Sequence, residues 1–471
     1  MARRRLAASV AALCIVAGLA AALVLRAPIH NVVLNAAPIG NPSMVGVDSR
    51  LGRAFILDDG VLAQQVTLDN HGGWGGTSSN VSNTLHVLDT RTGRIIKALD
   101  VPTTVHYLVV DAAANRVFAF DQGLLQVVDA RDGTLLNPVT VSGSPDDLND
   151  YINTALVDAR TGRIFATVDQ STSDPVDQHV LILDGRTGKT LRNLTFPHGV
   201  GVASPLANGA SFISYGPSLS LALDERASRL YVFNTNGQMS VVDTKSGRLL
   251  VTRRLPVALW GAWADERTGG VFAFAVQQTS GSIHSSRVRR PSTLVMLDPR
   301  SGVTQRIMSA PSVGTLTFDG TTNRLFILDG ARRTVSIRDG TSGRLVHDVS
   351  LGAIPTRLLL DAPHHRALVT TVNGYNSTTP DARIAVLDTR TCALLRTLPI
   401  PAGQLAYAMA VDTGTGHLVT TYATMSSGTP DRYSWMPAWL HARLPWVPPP
   451  PPSLGPNQRI ITHTALTLDP S

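Results

Sequence analysis

The sequence contains only two cysteines in 471 residues, and this scarcity excludes a fold built on a disulfide framework. Cys14 lies in an apolar leader, whereas Cys392 lies in a turn between two predicted strands. Because these two settings differ so much, we do not expect the two thiols to pair.

Charge is also sparse. Only 16% of the residues are charged, and the formal net charge is +7. The chain has no dense basic block comparable to a nucleic-acid-binding arm. Nucleic acid is therefore not the expected partner.

The familiar catalytic motifs are missing as well. The Gly-x-Ser-x-Gly nucleophile elbow and the His-Glu-x-x-His zinc motif do not occur. No cysteine–histidine pair has a plausible site, since Cys392 belongs to a turn. The sequence therefore predicts no catalytic residue, no metal ligand and no cofactor.

What the sequence does contain is a repeat. Residues 316–351 hold four short apolar runs separated by three turns rich in Gly, Asp and Asn. Leu, Ile, Val and Phe alternate with Thr and Ser within the runs, which predicts a four-stranded antiparallel meander. The rest of the chain repeats this unit with insertions.

Two short patterns mark each copy of the repeat. The first anchor is an aspartate with an arginine five residues later and an aromatic residue two further on. Its clear copies are Asp48/Arg53/Phe55, Asp111/Arg116/Phe118, Asp158/Arg163/Phe165, Asp224/Arg229/Tyr231 and Asp319/Arg324/Phe326, and degraded copies begin at Asp265, Asp361 and Asp412. The second anchor is an aspartate with a glycine four residues later. Its copies begin at Asp89, Asp129, Asp184, Asp243, Asp298 and Asp339, a copy at Asp388 has Cys392 in place of the glycine, and the last begins at Asp469. Aspartates that accept backbone hydrogen bonds and glycines with positive φ both predict tight turns.

The two anchors alternate eight times, and a strand-rich repeat of this length predicts an all-β fold, a β-propeller with one blade per repeat. We expect eight blades, with seven as the alternative. The last copy supplies only three strands, while a strand near residues 32–34 precedes the first anchor. The N-terminal strand is therefore expected to close the last blade and remove its free edge.

The segments DTRTGRIIKALDVPTTVHYLVVDAAANRVFAFDQG and DTKSGRLLVTRRLPV resemble the YVTN-type propeller repeat family. The resemblance covers roughly residues 30–471 apart from the insertions. It implies a propeller of the quinoprotein-like and WD40-like group, which includes surface proteins, binding scaffolds and some enzymes. It carries over no functional residue, and the tryptophan docking motifs of quinoprotein alcohol dehydrogenases are not found, so no quinone is expected.

Residues 1–27 form a predicted targeting segment. Arg3, Arg4 and Arg5 precede an uncharged apolar run, residues 6–25, and twenty residues of helix span about 30 Å, enough to cross a bilayer. Signal-peptide cores are shorter, and the cleavage signal is poor. We therefore expect an uncleaved single-pass transmembrane helix in the cell membrane, with residues 28–471 on the extracytoplasmic side. Secretion after signal cleavage is the alternative.

The insertions are predicted to share one face of the propeller. Asp48 and Asp89 are 41 positions apart, and Asp412 and Asp469 are 57 apart, against 20 for Asp319 and Asp339. The extra residues fall between the second and third strands of a blade, on the same face as the blade-to-blade connections. Long loops on a rigid scaffold commonly carry function, so this face is the expected binding face.

The candidate binding residues on this face are His71, Trp74, Asp174, His179, His198, Trp260, Arg287, Arg289, Tyr375, Trp435 and Trp439. Asp69 with His71, and Asp174 with Asp177 and His179, have the residue types of a metal site but match no known ligand spacing, and we interpret them as solvated loops.

The remaining candidates each have two interpretations. The arginines of HSSRVRR suit an anionic partner or form an ordinary solvated cluster. Trp260 and Trp263 are expected in the core or rim, with a channel-lining ring as the alternative.

The insertion at residues 425–458 is rich in tryptophan and proline. Trp435, Trp439 and Trp446 can share a stripe on a short helix, and Pro448–Pro452 favour a stiff polyproline II segment. We expect a flap that docks on the long-loop face and restricts the channel mouth. Contact with a membrane or a partner is the alternative.

Two classes of function fit this sequence. The first is a monomeric, membrane-tethered extracytoplasmic scaffold that binds an unknown protein, glycan or small molecule through its long-loop face. The alternative is a channel-mouth enzyme, a lactonase-like hydrolase or a redox protein. That alternative requires His71, His179 or His198 to converge with carboxylates. We expect binding rather than catalysis.

Overall fold

The computed structural model describes residues 32–39, 42–58, 61–68, 74–80, 83–101, 105, 107–120, 124–136, 138–140, 150–170, 178–196, 203–205, 211–213, 219–234, 237–276, 293–298, 303–309, 313–373, 382–400, 404–427 and 458–470. No helix occurs among these residues, and so none of them forms a helix able to cross a membrane. The predicted anchor, residues 1–27, lies outside the described residues.

The described residues form 37 strands. The first half of the chain contains β1 (Val32–Ile39), β2 (Pro42–Asp48), β3 (Arg53–Asp58), β4 (Val61–Leu68), β5 (Trp74–Asn80), β6 (Asn83–Asp89), β7 (Ile95–Val101), β8 (Tyr107–Asp111), β9 (Arg116–Phe120), β10 (Leu124–Asp129), β11 (Thr134–Leu135), β12 (Val139–Thr140), β13 (Asp150–Asp158), β14 (Arg163–Gln170), β15 (Gln178–Asp184), β16 (Thr190–Phe196), β17 (Ala203–Pro205), β18 (Ser211–Ile213), β19 (Leu219–Asp224) and β20 (Arg229–Asn234). The second half contains β21 (Gln238–Asp243), β22 (Leu249–Arg254), β23 (Ala258–Asp265), β24 (Gly270–Val276), β25 (Thr293–Asp298), β26 (Val303–Ser309), β27 (Val313–Asp319), β28 (Arg324–Asp329), β29 (Thr334–Asp339), β30 (Leu345–Ser350), β31 (Ile354–Asp361), β32 (Arg366–Val372), β33 (Ala382–Asp388), β34 (Leu394–Pro399), β35 (Gln404–Val411), β36 (Leu418–Ser427) and β37 (Gln458–Asp469).

These strands form a β-propeller, which confirms the predicted all-β fold. Seven antiparallel sheets of four or five strands are the blades: β2-β3-β6-β7, β8-β9-β10-β11 with β12, β13-β14-β15-β16, β19-β20-β21-β22, β23-β24-β25-β26, β27-β28-β29-β30 and β31-β32-β33-β34. In the second blade the outer strand is split into β11 and β12 on either side of residues 136–138, where Pro138 has no N–H to donate. The first strand of each blade lies beside the first strands of its neighbours around the ring axis.

A six-stranded sheet lies between the seventh blade and the first. Its strands β35, β36 and β37 follow the seventh blade in sequence, and β1 pairs antiparallel with β37 from Val32↔Asp469 to Ile39↔His463. This matches the expected place of the N-terminal strand. The sheet is bonded to both neighbours, because Thr90 donates its hydroxyl proton to Asp412, and Arg366 donates to the carbonyl of Gly416 at 3.0 Å.

The ring has two different faces. At the turn face, the two aspartate anchors of each blade connect the first strand to the second and the third to the fourth. At the long-loop face, the second strand connects to the third, and one blade connects to the next. The described strand ends that flank the insertions lie at the long-loop face, as the sequence predicts.

The aromatic residue of the first anchor holds neighbouring blades together. Phe55 is fully buried and packs with Leu108 and Val117 of the second blade. Phe118, Phe165, Tyr231, Phe272 and Phe326 lie in the same position between their own blades and the next. Burying one such side chain contributes about 1.5–3 kcal/mol, so the repeat places a large apolar group at each of the six seams between the seven blades.

Turn chemistry explains the anchors, as predicted. The Oδ1 atom of Asp89 accepts the amide protons of Arg91 and Thr92 at 3.0 and 2.9 Å, and Gly93 has a φ of 68°. Cys392 takes the same left-handed conformation, with a φ of 61°, although it has a Cβ. Positive φ also occurs four residues into first-anchor turns, which the repeat pattern did not predict: Asn115, Ser228, Asn323 and His365 have φ between 53° and 55°.

The two anchors of a blade also bind each other, which sequence reasoning missed. The first-anchor arginine and the second-anchor aspartate are opposite residues of the second and third strands. Their side chains form ion pairs in Arg53–Asp89 at 2.8 Å, Arg116–Asp129 at 2.6 Å, Arg229–Asp243 at 2.7 Å and Arg324–Asp339 at 3.4 Å. The second-anchor aspartate thus stabilises its own turn and also joins the second strand of the blade to the third.

Candidate functional site

The long-loop face carries a small sheet built from two insertions. The first-blade insertion forms the hairpin β4–β5, and residues 64–67 of β4 pair with residues 458–461 of β37. On the other side of β37, residues 425–427 of β36 pair with residues 459–461. We call the strand set β36–β37–β4–β5 at this end the joint sheet.

The length of β37 explains why the joint sheet forms. At 12 residues this strand is longer than any described blade strand, the longest of which has nine residues, and β1 pairs only with residues 463–469. The remaining edge would present unpaired N–H and C=O groups, which is unfavourable for an exposed strand. The hairpin β4–β5 pairs with that edge and fixes the first insertion against the last one.

A second hairpin lies near the ring axis. The connection between the third and fourth blades contains β17 and β18, which pair from Ala203↔Ile213 to Pro205↔Ser211. Strand β17 contacts β27, the innermost strand of the sixth blade. Because the fourth and fifth blades separate this connection from the sixth, the hairpin reaches inward over the first strands of the blades. The Trp/Pro-rich insertion, which was predicted to restrict the channel mouth, lies outside the described residues except for residues 425–427 and 458.

His179 is the one candidate side chain that the structure describes fully. It lies in β15, and its Nδ1 atom is 3.1 Å from Oδ1 of Asn193 on the neighbouring strand β16. Thr195 Oγ1 lies 3.5 Å from the same nitrogen. These two partners are neutral and belong to the outermost strand, so the described contacts of His179 point to the rim.

The structure describes the side chain of one tryptophan of β23, Trp263, and only the backbone of the other, Trp260. Trp263 packs edge-on against Phe274, with ring centroids 5.7 Å apart, within the core between the fifth and sixth blades. This confirms the core interpretation for Trp263. The backbone of Trp260 pairs with Phe274 just before a bulge at Gly261, whose amide donates to Ser220 of the fourth blade at 3.0 Å. The side chain of Trp260 lies outside the described set.

The side chains of the other predicted residues lie outside the described part of the structure. Trp74 begins β5 opposite Leu68, but its side chain is not described. The residues outside the described ranges are His71, Asp174, His198, Arg287, Arg289, Tyr375, Trp435 and Trp439. Within the described ranges, no group of three or more His, Cys, Asp or Glu side chains is close enough to hold a metal ion.

A histidine–aspartate pair beneath the joint sheet was not predicted. Nε2 of His86 in β6 lies 3.2 Å from Oδ2 of Asp58, the last residue of β3, and both side chains are mostly buried. Ile56 packs against Val419 of β36, and alternate residues of a strand share a face, so Asp58 lies toward the last sheet. A histidine inside the apolar strand NTLHVLD is the signal that could have revealed it.

The His86 imidazole lies at the seam between the first blade and the last sheet. Its Nδ1 atom is buried and has no hydrogen-bond partner among the described residues.

The carboxylates of the turn face differ in their electrostatics. Burial would raise the pKa of Asp412, but hydrogen bonds from Thr90 and Gly414 hold that pKa below its usual value. Burial raises the pKa of Asp111, where the amide of Ala114 bonds Oδ1 and Oδ2 has no partner among the described atoms. The same repeat position is thus stabilising in one blade and costly in another.

Comparison with known proteins supports the fold. No family model matches the chain. The Uncharacterized protein YncE of Salmonella typhimurium (strain LT2) is 25% identical over 145 residues, and that of Salmonella typhi is 24% identical over 145 residues. The matches cover 31% of this chain and 39% of each relative, so they span about two fifths of those proteins.

Among solved structures, the chain is similar to the dihydro-heme d1 dehydrogenase NirN in complex with DHE. The TM-score is 0.50 at 11% sequence identity, over 77% of this chain and 66% of that one. At this identity the likeness concerns the fold alone. The two kinds of comparison agree with the β-propeller that the strands themselves display.

Proposed function

We propose that this protein is a membrane-tethered, extracytoplasmic binding scaffold whose ligand-binding surface is the long-loop face. The observation that carries the proposal is the joint sheet, in which β4 pairs with β37 and fixes two long insertions against each other. Backbone pairing between separate insertions reduces the conformational freedom lost on binding, which favours recognition of a partner.

We further propose that β35, β36, β37 and β1 make an eighth blade, and that the repeats belong to the YVTN-type group. The innermost strands support a count of eight, because β35 contacts both β31 of the seventh blade and β2 of the first. It therefore fills the place between those two blades. Packing supports it too, since Val419 occupies the aromatic position of the first anchor and packs with Ala54 and Leu88 of the first blade.

The tether rests on the leader. The uncharged apolar run of residues 6–25, preceded by three arginines, has the length and flanking charge of a single-pass anchor that leaves its C-terminal side outside the cytoplasm. We therefore place the propeller on the extracytoplasmic side of the cell membrane. Release after cleavage near residue 28 is the competing outcome.

The enzyme alternative has less support. It requires histidines that converge with carboxylates near the channel mouth, whereas His179 contacts Asn193 and Thr195 at the rim. His71 and His198 lie outside the described residues. The pair His86–Asp58 is enclosed at a blade seam, where a substrate has little access.

Binding can be tested with loop replacements. One variant replaces residues 428–457 and a second replaces residues 61–80, each with a short Gly-Ser connection; a third carries Arg131→Ser in an exposed turn as a control. Purified proteins are screened by biolayer interferometry against cell-envelope glycans, peptides and soluble proteins. We expect loss of binding in the two loop variants only. Turnover of a lactone or ester panel by the full chain, abolished by either loop change, would show an enzyme instead.

The tether is tested separately by fractionation. The full chain is expected to stay with membranes after an alkaline carbonate wash and to retain residues 1–26 by mass spectrometry. A soluble protein that begins near residue 28 would remove the tether from the proposal and leave the binding face standing.

A further inference from the structure

The turn face has an outer layer of cations. The second-anchor turns of the first, third and fourth blades each expose two of them: Arg91 and Arg94, Arg186 and Lys189, Lys245 and Arg248. Residues 90–94, 185–189 and 244–248 contain no acidic residue. In these three turns the cations are therefore the first charges that a partner would meet.

The anchor aspartates below do not neutralise this layer at contact. Asp89 and Asp243 already pair with Arg53 and Arg229 on the strands. The first-anchor aspartates are at most 1% exposed and accept amide hydrogen bonds within their own turns, as Asp158 does from Arg160 and Thr161. The buried aspartates offset much of the positive potential of the cations at long range. The cations therefore attract an anion mainly when it is close to the surface.

Exposed aliphatic side chains border the same turns. The outermost strand of several blades begins with them, directly after the second-anchor turn: Ile96, Leu191, Leu249, Leu250, Leu345 and Leu395 are each between 47% and 53% exposed. Single exposed aliphatics are ordinary on protein surfaces. Here they recur at one height around the ring, beside the cations, and long cationic side chains with aliphatic neighbours suit the headgroup region of a bilayer.

The N-terminal chain leaves the propeller from this face. Val32 is the partner of Asp469, which is the turn-face end of β37, so β1 runs from the turn face to the long-loop face. Only residues 26–31 separate the apolar run from β1. Six extended residues span at most about 20 Å. A bilayer that held residues 6–25 would therefore lie close to the turn face.

We infer that the turn face docks on the headgroups of a bilayer that contains acidic lipids, so that the long-loop face points away from the membrane. The inference takes its tether from the proposed function, and its contact surface from the cations and aliphatic residues. A single-stranded nucleic acid would call for exposed aromatic side chains on which bases stack, and the strongly exposed large apolar residues in the described ranges are all aliphatic.

Fluorescence quenching in vesicles tests the orientation. The full chain, with Cys14→Ser and Cys392→Gly, receives one bimane-labelled cysteine at Ala227→Cys on the turn face or at Ala331→Cys on the long-loop face; both alanines are exposed. The proteins are reconstituted into phosphatidylcholine–phosphatidylglycerol vesicles that carry nitroxide-labelled headgroups. We expect strong quenching at position 227 and little at 331. Equal quenching at the two positions overturns the inference.

Charge removal tests the lipid chemistry. Lys245→Ser with Arg248→Ser removes two turn-face cations beside the probe, and Arg332→Ser with Arg333→Ser removes two from the long-loop face as the matched control. Each cation near an acidic bilayer strengthens contact about fivefold, so the first variant should lower the docked-to-free ratio by tenfold or more. The control should not change. Undiminished quenching in pure phosphatidylcholine vesicles would contradict a role for acidic lipid.

The remaining outcomes are separable. Flotation with vesicles reports the anchor, whereas quenching reports the face, so a chain that floats with an unquenched probe at position 227 keeps its tether and loses the docking. A short DNA duplex that binds the reconstituted protein and relieves the quenching would assign the turn face to nucleic acid, and would overturn the inference.

Discussion

The Nη1 atom of Arg116 lies 2.6 Å from Oδ2 of Asp129, and the two residues stand opposite each other at the ends of β9 and β10. Both side chains are mostly buried, so the pair is screened less than a surface salt bridge. It joins the two anchors of the second blade, as equivalent pairs do in three others.

A double-mutant cycle measures this link. Arg116→Met keeps the aliphatic stem, and Asp129→Asn keeps the oxygen that accepts the amide of Arg131. We expect each change to lower the free energy of unfolding by about 1–2 kcal/mol, with a coupling of about 1 kcal/mol, by urea denaturation. Arg254→Met, on an exposed outer strand, is the control. A coupling near zero would show that the pair is incidental.

Asp412 and Asp111 should respond oppositely to pH. The pKa of Asp412 is lowered in the fold, so its stabilisation is present above the unfolded pKa, near 3.8, and is lost as the pH falls below it. The pKa of Asp111 is raised by burial, so its charged form costs stability at neutral pH, and that cost disappears in acid.

The matched variants are therefore Asp412→Asn and Asp111→Asn. At pH 7 the first should lower the free energy of unfolding by about 1–2 kcal/mol, while the second should be neutral or stabilising. Both differences should shrink when denaturation is repeated near pH 4, because Asp111 then protonates in the folded protein and Asp412 begins to protonate in the unfolded chain. Equal losses for both variants at pH 7 would refute the assignment.

The backbone strain at Cys392 can be isolated by comparing two small residues. Cys392→Gly and Cys392→Ala both remove the buried sulfur, but only glycine relaxes a φ of 61°. We expect the glycine variant to be more stable than the alanine variant by about 1 kcal/mol, the reverse of their order in an ordinary strand or helix. The melting temperatures of the two variants test this expectation. A more stable alanine variant would show that the left-handed backbone at residue 392 is not strained.

Closure by β1 predicts a sharp dependence on where the chain starts. A protein beginning at residue 32 keeps the pairing with β37, whereas one beginning at residue 41 exposes that edge of the last sheet. The shorter protein should unfold several degrees lower and associate at high concentration. Scanning calorimetry and light scattering provide the comparison. Identical melting temperatures would mean that β1 contributes nothing to the ring.

The joint sheet can be tested by cross-linking. Val66 and Arg459 are opposite residues of β4 and β37, so Val66→Cys with Arg459→Cys should form a disulfide on mild oxidation of a Cys14→Ser protein. Ser427 lies one strand further away, opposite Arg459 on β36. Two strand spacings are about 10 Å, so Val66→Cys with Ser427→Cys should not cross-link. Mass spectrometry distinguishes the two, and cross-linking of both pairs would point to a loose loop.

Local chemistry made the blades predictable. Asp89 and Gly93 act within one turn, and their spacing alone indicates the hairpin. Arg53 and Asp89 are 36 residues apart because an insertion separates their strands. No short sequence pattern therefore indicates their ion pair. The contact of Thr67 with Gln458 depends on an edge that exists only after the ring forms.

The candidate site was the less predictable part for the same reason. The sequence ranked loop residues by chemical type, and chemical type does not give the neighbours of any side chain. His179 lies beside Asn193 because β15 and β16 pair in that register, and register is a property of the folded blade. The hairpin β17–β18 has no distinctive composition, and its place near β27 follows from the ring geometry.

The pairing of Val32 with Asp469 also affects the order in which the chain can fold. The strand that completes the ring is made first and must wait until the last strand has been made, so the final step of folding joins the two ends of the chain. Contacts between such distant residues form slowly. Until then, β37 and β1 each present an open edge to other chains. In a cell, holding those two edges apart from their neighbours would be the task of whatever chaperone receives the emerging chain.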